Sequence, residues 1–319
     1  MNQRKLGKKF KVSELGLGGW QLGGFASILG IPITYGNVNE NSSKKIIQSA
    51  LSFGINTFDT ADSYSLGNSE KILGISLKKS RSIVKIFTKA AAVPNYDKLN
   101  PWMIDLSYHH LVAALNRSLR RLQTTYVDLF QIHAPPNSEN DFKNIEKTFR
   151  LIKKEGKALC CGVSIGRNYD VGIELIKRGL VDSLQIYFSL LDFRATEKLL
   201  PFAKKNNVGI IAAEPLSQGF LTGKYLSKHS FSSTDVRSRF PKKLTKLLID
   251  QSKKFSFLIK NNRKMNQIAI AYVLSHDAVS TCIPGVKNIR QLKSNLMYNN
   301  IKLTSKELEL IKNVQSTFQ

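Results

Sequence analysis

Eight short apolar runs rich in β-branched residues recur along the chain, with amphipathic stretches between most of them. They read SELGLG (13–18), INTFD (55–59), IVKIFTK (83–89), YVDLFQIH (126–133), KALCCGVS (157–164), DSLQIYFS (182–189), VGIIAAE (208–214) and STCIPG (280–285). Runs of this length and make-up are expected to be strands. The stretches between them show helical periodicity. In SYHHLVAALNRSLRRLQ, Leu111, Leu115, Leu119 and Leu122 fall on one helix face, turned towards a core. Asn41 and Ser42 are expected to open the first helix, and Gly54 to close it.

Strands alternating with helices imply a parallel sheet with right-handed crossovers. Eight such units without a linker fit an α/β fold of the (β/α)₈ TIM-barrel type, with residues 1–319 as one domain. The rival, an open doubly wound sheet, would want a glycine fingerprint after its first strand. GLGGWQLGG (16–24) fails that pattern because Gln21 holds the last glycine position. GFLTGKY (219–225) is one residue short of a phosphate loop and lacks Ser or Thr after Lys224. The least patterned stretches, 19–41, 90–104 and 223–245, are expected to be long loops beside the site.

Composition narrows the function classes. No stretch approaches eighteen apolar residues and the N-terminus lacks an apolar h-region, so a soluble, cytoplasmic protein without a membrane span is expected. Cys160, Cys161 and Cys282 form neither a disulfide framework nor a zinc spacing, and the adjacent pair should point to opposite faces of its strand. The histidines lack ligand spacing, so no metal is expected. The net charge of +25 invites a polyanion reading. Yet the lysines are scattered through SLKKSRS, FAKKNN, FPKKLTK and NNRKMNQ, with no zinc finger, RNP motif or helix-turn-helix beside them. No nucleic-acid partner is expected, and a positive field would instead steer an acidic cofactor or substrate inward. The pattern fixes no oligomeric state.

In a parallel barrel the active site lies at the C-terminal ends of the strands. The second strand ends in Asp59 with Tyr64 five residues on, the third in Lys89, the fourth in His133 and the fifth in Ser164, while the sixth carries Gln185. Taken singly, a strand-end histidine is more often structural, and DTAD more often a cap or turn. A lysine closing an apolar strand needs a carboxylate partner, and Asp59 on the neighbouring strand end is placed to supply it. A cation beside a phenol favours phenolate, so Lys89 is expected to lower the pKa of Tyr64 and make it a usable acid. Such a set could protonate a carbonyl oxygen while hydride reaches its carbon. Asp62 reads as a cap or surface group, Tyr187 and Phe188 as barrel packing, and His109, His110, His229 and His276 as surface residues.

These segments, from KVSELGLGGWQLGG through GINTFDTADSY, FTK, SLRRLQTTYVDLFQIHAP, CGVS, LQIYFSLLD and EPLSQGFLTGKY to IPGVKNIRQLKSN, resemble the aldo/keto reductase superfamily in order and spacing. The resemblance implies a barrel that binds a nicotinamide dinucleotide without a Rossmann fold. It implies a catalytic tetrad of Asp59, Tyr64, Lys89 and His133, with Tyr64 as acid/base, Lys89 its partner, Asp59 the partner of Lys89, and His133 orienting the carbonyl. Ser164 and Gln185 match positions that hold the carboxamide. Leu216, Ser217, Gly219, Leu221 and Lys224 match the pyrophosphate loop. Gly285, Lys287, Gln291 and Asn295 match the adenosine-phosphate segment, which favours NADP(H), with NAD(H) the alternative. Trp20 matches a position lining the substrate pocket, though it could equally pack under the first loop. The chain departs from the family pattern at Ile165, where Asn is common, at Ala213 (followed by Glu214), where an aromatic ring is common, and at Ser65, in place of glycine. The implied activity is reduction of an aldehyde or ketone, sugar-like carbonyls included. The second reading is an NADP(H)-binding sensor or regulatory subunit with little turnover.

Overall fold

A computed structural model describes residues 1–96, 100–225 and 230–318. All eight expected strands are present: β1 (Leu17–Gly18), β2 (Thr57–Asp59), β3 (Lys85–Ala90), β4 (Val127–Ile132), β5 (Ala158–Gly166), β6 (Ser183–Tyr187), β7 (Gly209–Ala213) and β8 (Val279–Cys282). They form one 8-stranded sheet in sequence order, every neighbouring pair parallel. Parallel bridges Leu15–Cys282 and Gly18–Gly285 join the first strand to the last and curl the sheet into a barrel.

Helices α1 (Glu40–Ser52), α2 (Asn68–Leu77), α3 (Tyr108–Leu122), α4 (Glu139–Lys154), α5 (Tyr169–Lys177) and α6 (Leu199–Lys205) fill the first six crossovers. α7 (Lys242–Lys253) and α8 (Met265–Leu274) lie between β7 and β8, while α9 (Ile289–Leu296) and α10 (Ser305–Gln315) follow β8. The leucine stripe of α3 is buried as expected. The cap of α1 is Asn39, whose side chain accepts from the Ser42 amide at 2.8 Å, two residues before the expected Asn41. Gly54 follows the helix at φ +82°, a conformation that favours glycine.

Side chains alternate across each strand, and the two faces have different jobs. Outward residues such as Cys161, Val163, Leu184 and Ile210 pack under the helices, while inward Phe87, Leu129, Cys160 and Ile211 form an apolar floor inside the barrel. The neighbouring cysteines therefore do face opposite ways. One turn of the pleat nearer the rim, the inward positions become Lys89 and Gln131, both fully buried.

Two features differ from the expectation. The run 13–18 is not one strand: Gln3–Leu6 pairs antiparallel with Phe10–Ser13, and only Leu17–Gly18 enters the barrel. The hairpin covers the barrel floor, where Arg4 donates to the carbonyls of Leu274 (2.7 Å) and Val279 (3.0 Å) and pairs with Glu14 at 3.0 Å. Two of the expected loops contain short hairpins, Ser27–Ile28 with Ile31–Pro32 and Ala92–Pro94 with Trp102–Ile104. The third, 223–245, holds a turn at Val236–Arg239 and the start of α7. His229 lies outside the described residues. Among those described, no helix is long and apolar enough to cross a membrane.

Candidate active site

β2 and β3 run side by side, with Asp59 paired to Phe87, so Lys89 extends one pleat further towards the rim. The chain then turns back over Lys89: the Thr60 amide donates to the Phe87 carbonyl at 2.8 Å and the Asp62 amide to the Lys89 carbonyl at 3.0 Å. The Lys89 ammonium is wholly enclosed and spends its three hydrogens on Asp59 Oδ2 (2.6 Å), the Thr60 carbonyl (2.9 Å) and the Tyr64 phenol oxygen (3.1 Å). Tyr64 accepts in that contact, which leaves its own O–H free for another acceptor. Its ring stacks on Trp20 at 5.6 Å and meets the His133 ring edge at 5.7 Å.

Burial opposes the Lys89 charge, but Asp59 and then Tyr64 hold the ammonium above its ordinary value, so it stays protonated. Tyr64 departs from the expectation. Burial raises its pKa, Lys89 lowers it by less, and the net direction is up. The phenol is therefore a retained proton, ready to be given. His133 is pushed down to about 3 by burial and then by Lys89, so it is a neutral imidazole. Its Nδ1 lies 3.3 Å from the Ser63 hydroxyl.

The tetrad side chains meet a cleft of about 1210 Å³ at the C-terminal end of the barrel. Trp20, Asp59, Tyr64 and His133 line it, with Lys89 directly beneath. Ser164 and Gln185, paired in register on β5 and β6, line its centre. Leu216, Gly219, Lys224, Gly285, Lys287, Gln291 and Asn295 continue along one side. Ser217 and Leu221 do not reach it: Leu221 is buried in the helix-side core, and Ser217 donates its amide to the Glu214 carbonyl at 2.8 Å. Trp20 lines the cleft, and its Nε1 donates to the Ile33 carbonyl at 3.0 Å.

The cleft suits a dinucleotide on its own evidence. Gly18 and Gly19 line it where the backbones pack too closely for a side chain: a Cβ would meet the Ile283 carbonyl at 2.9 Å and the Asp59 carbonyl at 2.7 Å. Gly219, at φ +96°, turns the loop after β7. Gln21 lies against Gly285 with its buried Oε1 unpartnered among the described residues, a polar atom able to take a donor. The N-terminus of α9, capped by Asn288, opens onto the cleft with Lys287, Arg290 and Lys293 around it, a setting that favours phosphate.

Several groups here escaped the sequence reading. Gln131 donates to Gln185 Oε1 at 2.9 Å and reaches Asp59 Oδ1 at 3.5 Å, tying the carboxylate to the far wall. Its signal was a lone polar residue in an apolar strand. Tyr187, expected to be packing, lines the cleft beneath Arg167 at 5.1 Å, while Phe188 is fully buried. Tyr35 and Glu214 also line it. Asp62, expected to be a cap or surface group, is half-buried, and its Oδ1 is buried without a partner among the described residues. His276 is half-buried against Phe188 and Tyr272, each at 4.9 Å, and His110 is half-buried beside Asp105 at 3.6 Å. His109 is exposed. Among the described residues, no group of three or more His, Cys, Asp or Glu could hold a metal ion.

The family model described as the aldo/keto reductase family matches residues 14–316. The chain belongs to the aldo/keto reductase family. The uncharacterized oxidoreductase YqkF of Bacillus subtilis is 30% identical over 315 residues, covering 98% of this chain and 95% of the relative. The L-glyceraldehyde 3-phosphate reductase of Escherichia coli K12 is 30% identical over 305 residues, covering 89% and 86%. Among solved structures, the holo form of aldo-keto reductase AKR11C1 from Bacillus halodurans superposes with a TM-score of 0.80 at 28% identity, covering 98% of this chain and 96% of that one. The chain is thus an NAD(P)-dependent oxidoreductase of aldo/keto reductase type, built on the family's (β/α)₈ barrel.

Proposed function

We propose that this aldo/keto reductase uses NADP(H) to reduce a small aldehyde or ketone, sugar-like carbonyls included, with Tyr64 as the proton donor. The observation that carries the reading is the buried Lys89 ammonium, 2.6 Å from Asp59 and 3.1 Å from the Tyr64 oxygen. A bound dihydronicotinamide would supply hydride to the carbonyl carbon. Ser164, Gln185 and the backbone around Ala213 would hold its ring, and Leu216, Gly219 and Lys224 would hold the pyrophosphate. Tyr64 passes its proton to the carbonyl oxygen, and Lys89 stabilises the phenolate that remains. Neutral His133 sits beside Tyr64 and would hydrogen-bond the same oxygen, orienting the carbonyl without competing for the proton. In the oxidative direction the Tyr64 phenolate takes the proton back.

Lys287 and Gln291, with Arg290 and Lys293 nearby, support NADP(H) through the 2′-phosphate. The Escherichia coli relative is named for a phosphorylated three-carbon aldehyde. Short hydroxylated aldehydes are therefore the first compounds to assay here. Tyr64→Phe keeps the aromatic ring that stacks on Trp20 and removes the phenol hydroxyl, and with it the transferable proton and the acceptor for Lys89. The expected result is a fall in kcat of about 10²–10⁴-fold with cofactor affinity unchanged. Unchanged turnover in that variant would overturn the assignment.

A further inference from the structure

Glu214 lines the cleft and has no part in this mechanism. It follows the last residue of β7 at φ +52°, a left-handed conformation that a glutamate adopts only at a cost. The turn carries its side chain to the cleft, where Oε1 accepts from Gln218 Nε2 at 2.9 Å. No ion pair reaches Glu214 among the described residues. The nearby Arg167 is taken up by Asp192 at 2.5 Å. The charged and titratable groups that act on Glu214 or feel it are Arg167, Asp192, Tyr35, Tyr187 and Tyr64.

The location matters because the reaction changes charge there. Ala213 pairs with Tyr187, two residues beyond Gln185, and the Glu214 charge is felt at Tyr64. A ring held near Ser164 and Gln185, delivering hydride to a carbonyl hydrogen-bonded to Tyr64, therefore lies beside residues 213–214. In reduction the carbonyl carbon gains hydride and its oxygen gains the Tyr64 proton, while the nicotinamide passes from neutral to singly positive. Position 213 offers only a methyl group to that ring.

We propose that Glu214 is the charge partner of the nicotinamide, a positioning residue that selects the oxidised, cationic ring over the reduced, neutral one. The inference rests on the nicotinamide reading above. Burial raises the Glu214 pKa, and a cation bound beside it would favour the carboxylate. Binding of the oxidised form then releases a proton, whereas binding of the reduced form does not.

The test is calorimetric titration of wild type and Glu214→Gln with NADP⁺ and with NADPH, from about pH 5.5 to about pH 8. In wild type the ratio of the two Kd values should rise as pH falls, through weakening of NADP⁺ alone. Titration of the 2′-phosphate is common to both forms and cancels in the ratio. In Glu214→Gln the ratio should be raised about tenfold at pH 8 and lose its pH dependence, with the NADPH Kd within about twofold of wild type. Equal weakening of both forms would mean that Glu214 only shapes the loop, and an unchanged ratio would overturn the charge role. The wild-type pH series needs no variant, so a poorly folding Glu214→Gln would not protect the idea. If wild type bound neither form, the cofactor reading would fall and take this inference with it. Binding of both with a flat, variant-independent ratio would sink this inference alone.

Discussion

Asp62 and His133 flank the proton donor, and burial acts on them in opposite senses. The Asp62 carboxyl is pushed up to about 7, by burial first and then by Glu70, against the pull of Arg121 and Arg117. Glu70 is fully buried and committed to Thr88 and Arg121, so it offers Asp62 repulsion and no hydrogen. The folded state thus binds the Asp62 proton more tightly than the unfolded chain does. That contribution is fully present below the ordinary carboxylate pKa and is lost as pH rises through about 7. Asp62→Asn keeps the shape without the charge. It should gain on wild type by on the order of 2–4 kcal/mol at pH 8, with the difference fading below about pH 4. Urea unfolding of both proteins at pH 5 and pH 8 measures this, and a variant less stable than wild type at pH 8 would refute it. His133 gives the opposite expectation: neutral throughout the physiological range, it should leave no inflection between pH 6 and pH 7 in the turnover profile.

At the scale of elements, the join of β1 to β2 is a tight point beneath the cleft. Gly19 has an ordinary φ of −90°, so space rather than conformation demands glycine there. A Cβ would lie 2.7 Å from the Asp59 carbonyl and 2.9 Å from the Ser69 hydroxyl, which itself donates to the Gly19 carbonyl at 2.8 Å. Gly19→Ala must push β1 from β2 or displace Ser69. The expected cost is about 1–3 kcal/mol of stability, with a fall in kcat because Asp59 moves with its strand. Thermal unfolding and steady-state kinetics on one preparation check both parts. The elements themselves were legible wherever one physical rule governed them. Strand runs and the α3 leucine stripe announce burial directly, and Lys89 in an apolar strand announces a buried partner. The N-terminal hairpin was not legible, because its lysine-rich strands bury mainly Leu6 and Val12 against the barrel floor. Tyr187 faces the cleft by simple alternation with Gln185 along β6, whereas Glu214 reaches it through the left-handed turn of the backbone at the end of β7. The direction of the Tyr64 shift was misread because the influence of Lys89 is visible in sequence, whereas the depth of burial that outweighs it is not.

Over the whole molecule the excess of 48 basic over 23 acidic residues gives a net +25, and part of it gathers at the cleft. Lys264, Lys287, Arg290 and Lys293 all line it near the start of α9. Among the described residues only Lys287 of these has an ion pair, to Asp235 at 3.4 Å, while Lys293 lies over the Phe53 ring at 6.0 Å. Three cations without an ion pair, beside the positive end of a helix dipole, make a local field that salt will screen. The pyrophosphate is common to both nicotinamide cofactors, so its salt dependence is shared. A 2′-phosphate adds nearly two negative charges, and if it docks at α9 its contribution must carry the extra dependence. Raising KCl from about 50 mM to about 300 mM should then weaken NADP⁺ by roughly tenfold and NAD⁺ by only about two- to threefold. Fluorescence or calorimetric titration at the two salt concentrations gives both slopes. Equal slopes would place the 2′-phosphate outside this field and remove the ground for preferring NADP(H). A steeper slope for NADP⁺ would tie the +25 charge to cofactor capture, and Lys287→Met should then reduce that slope towards the NAD⁺ value.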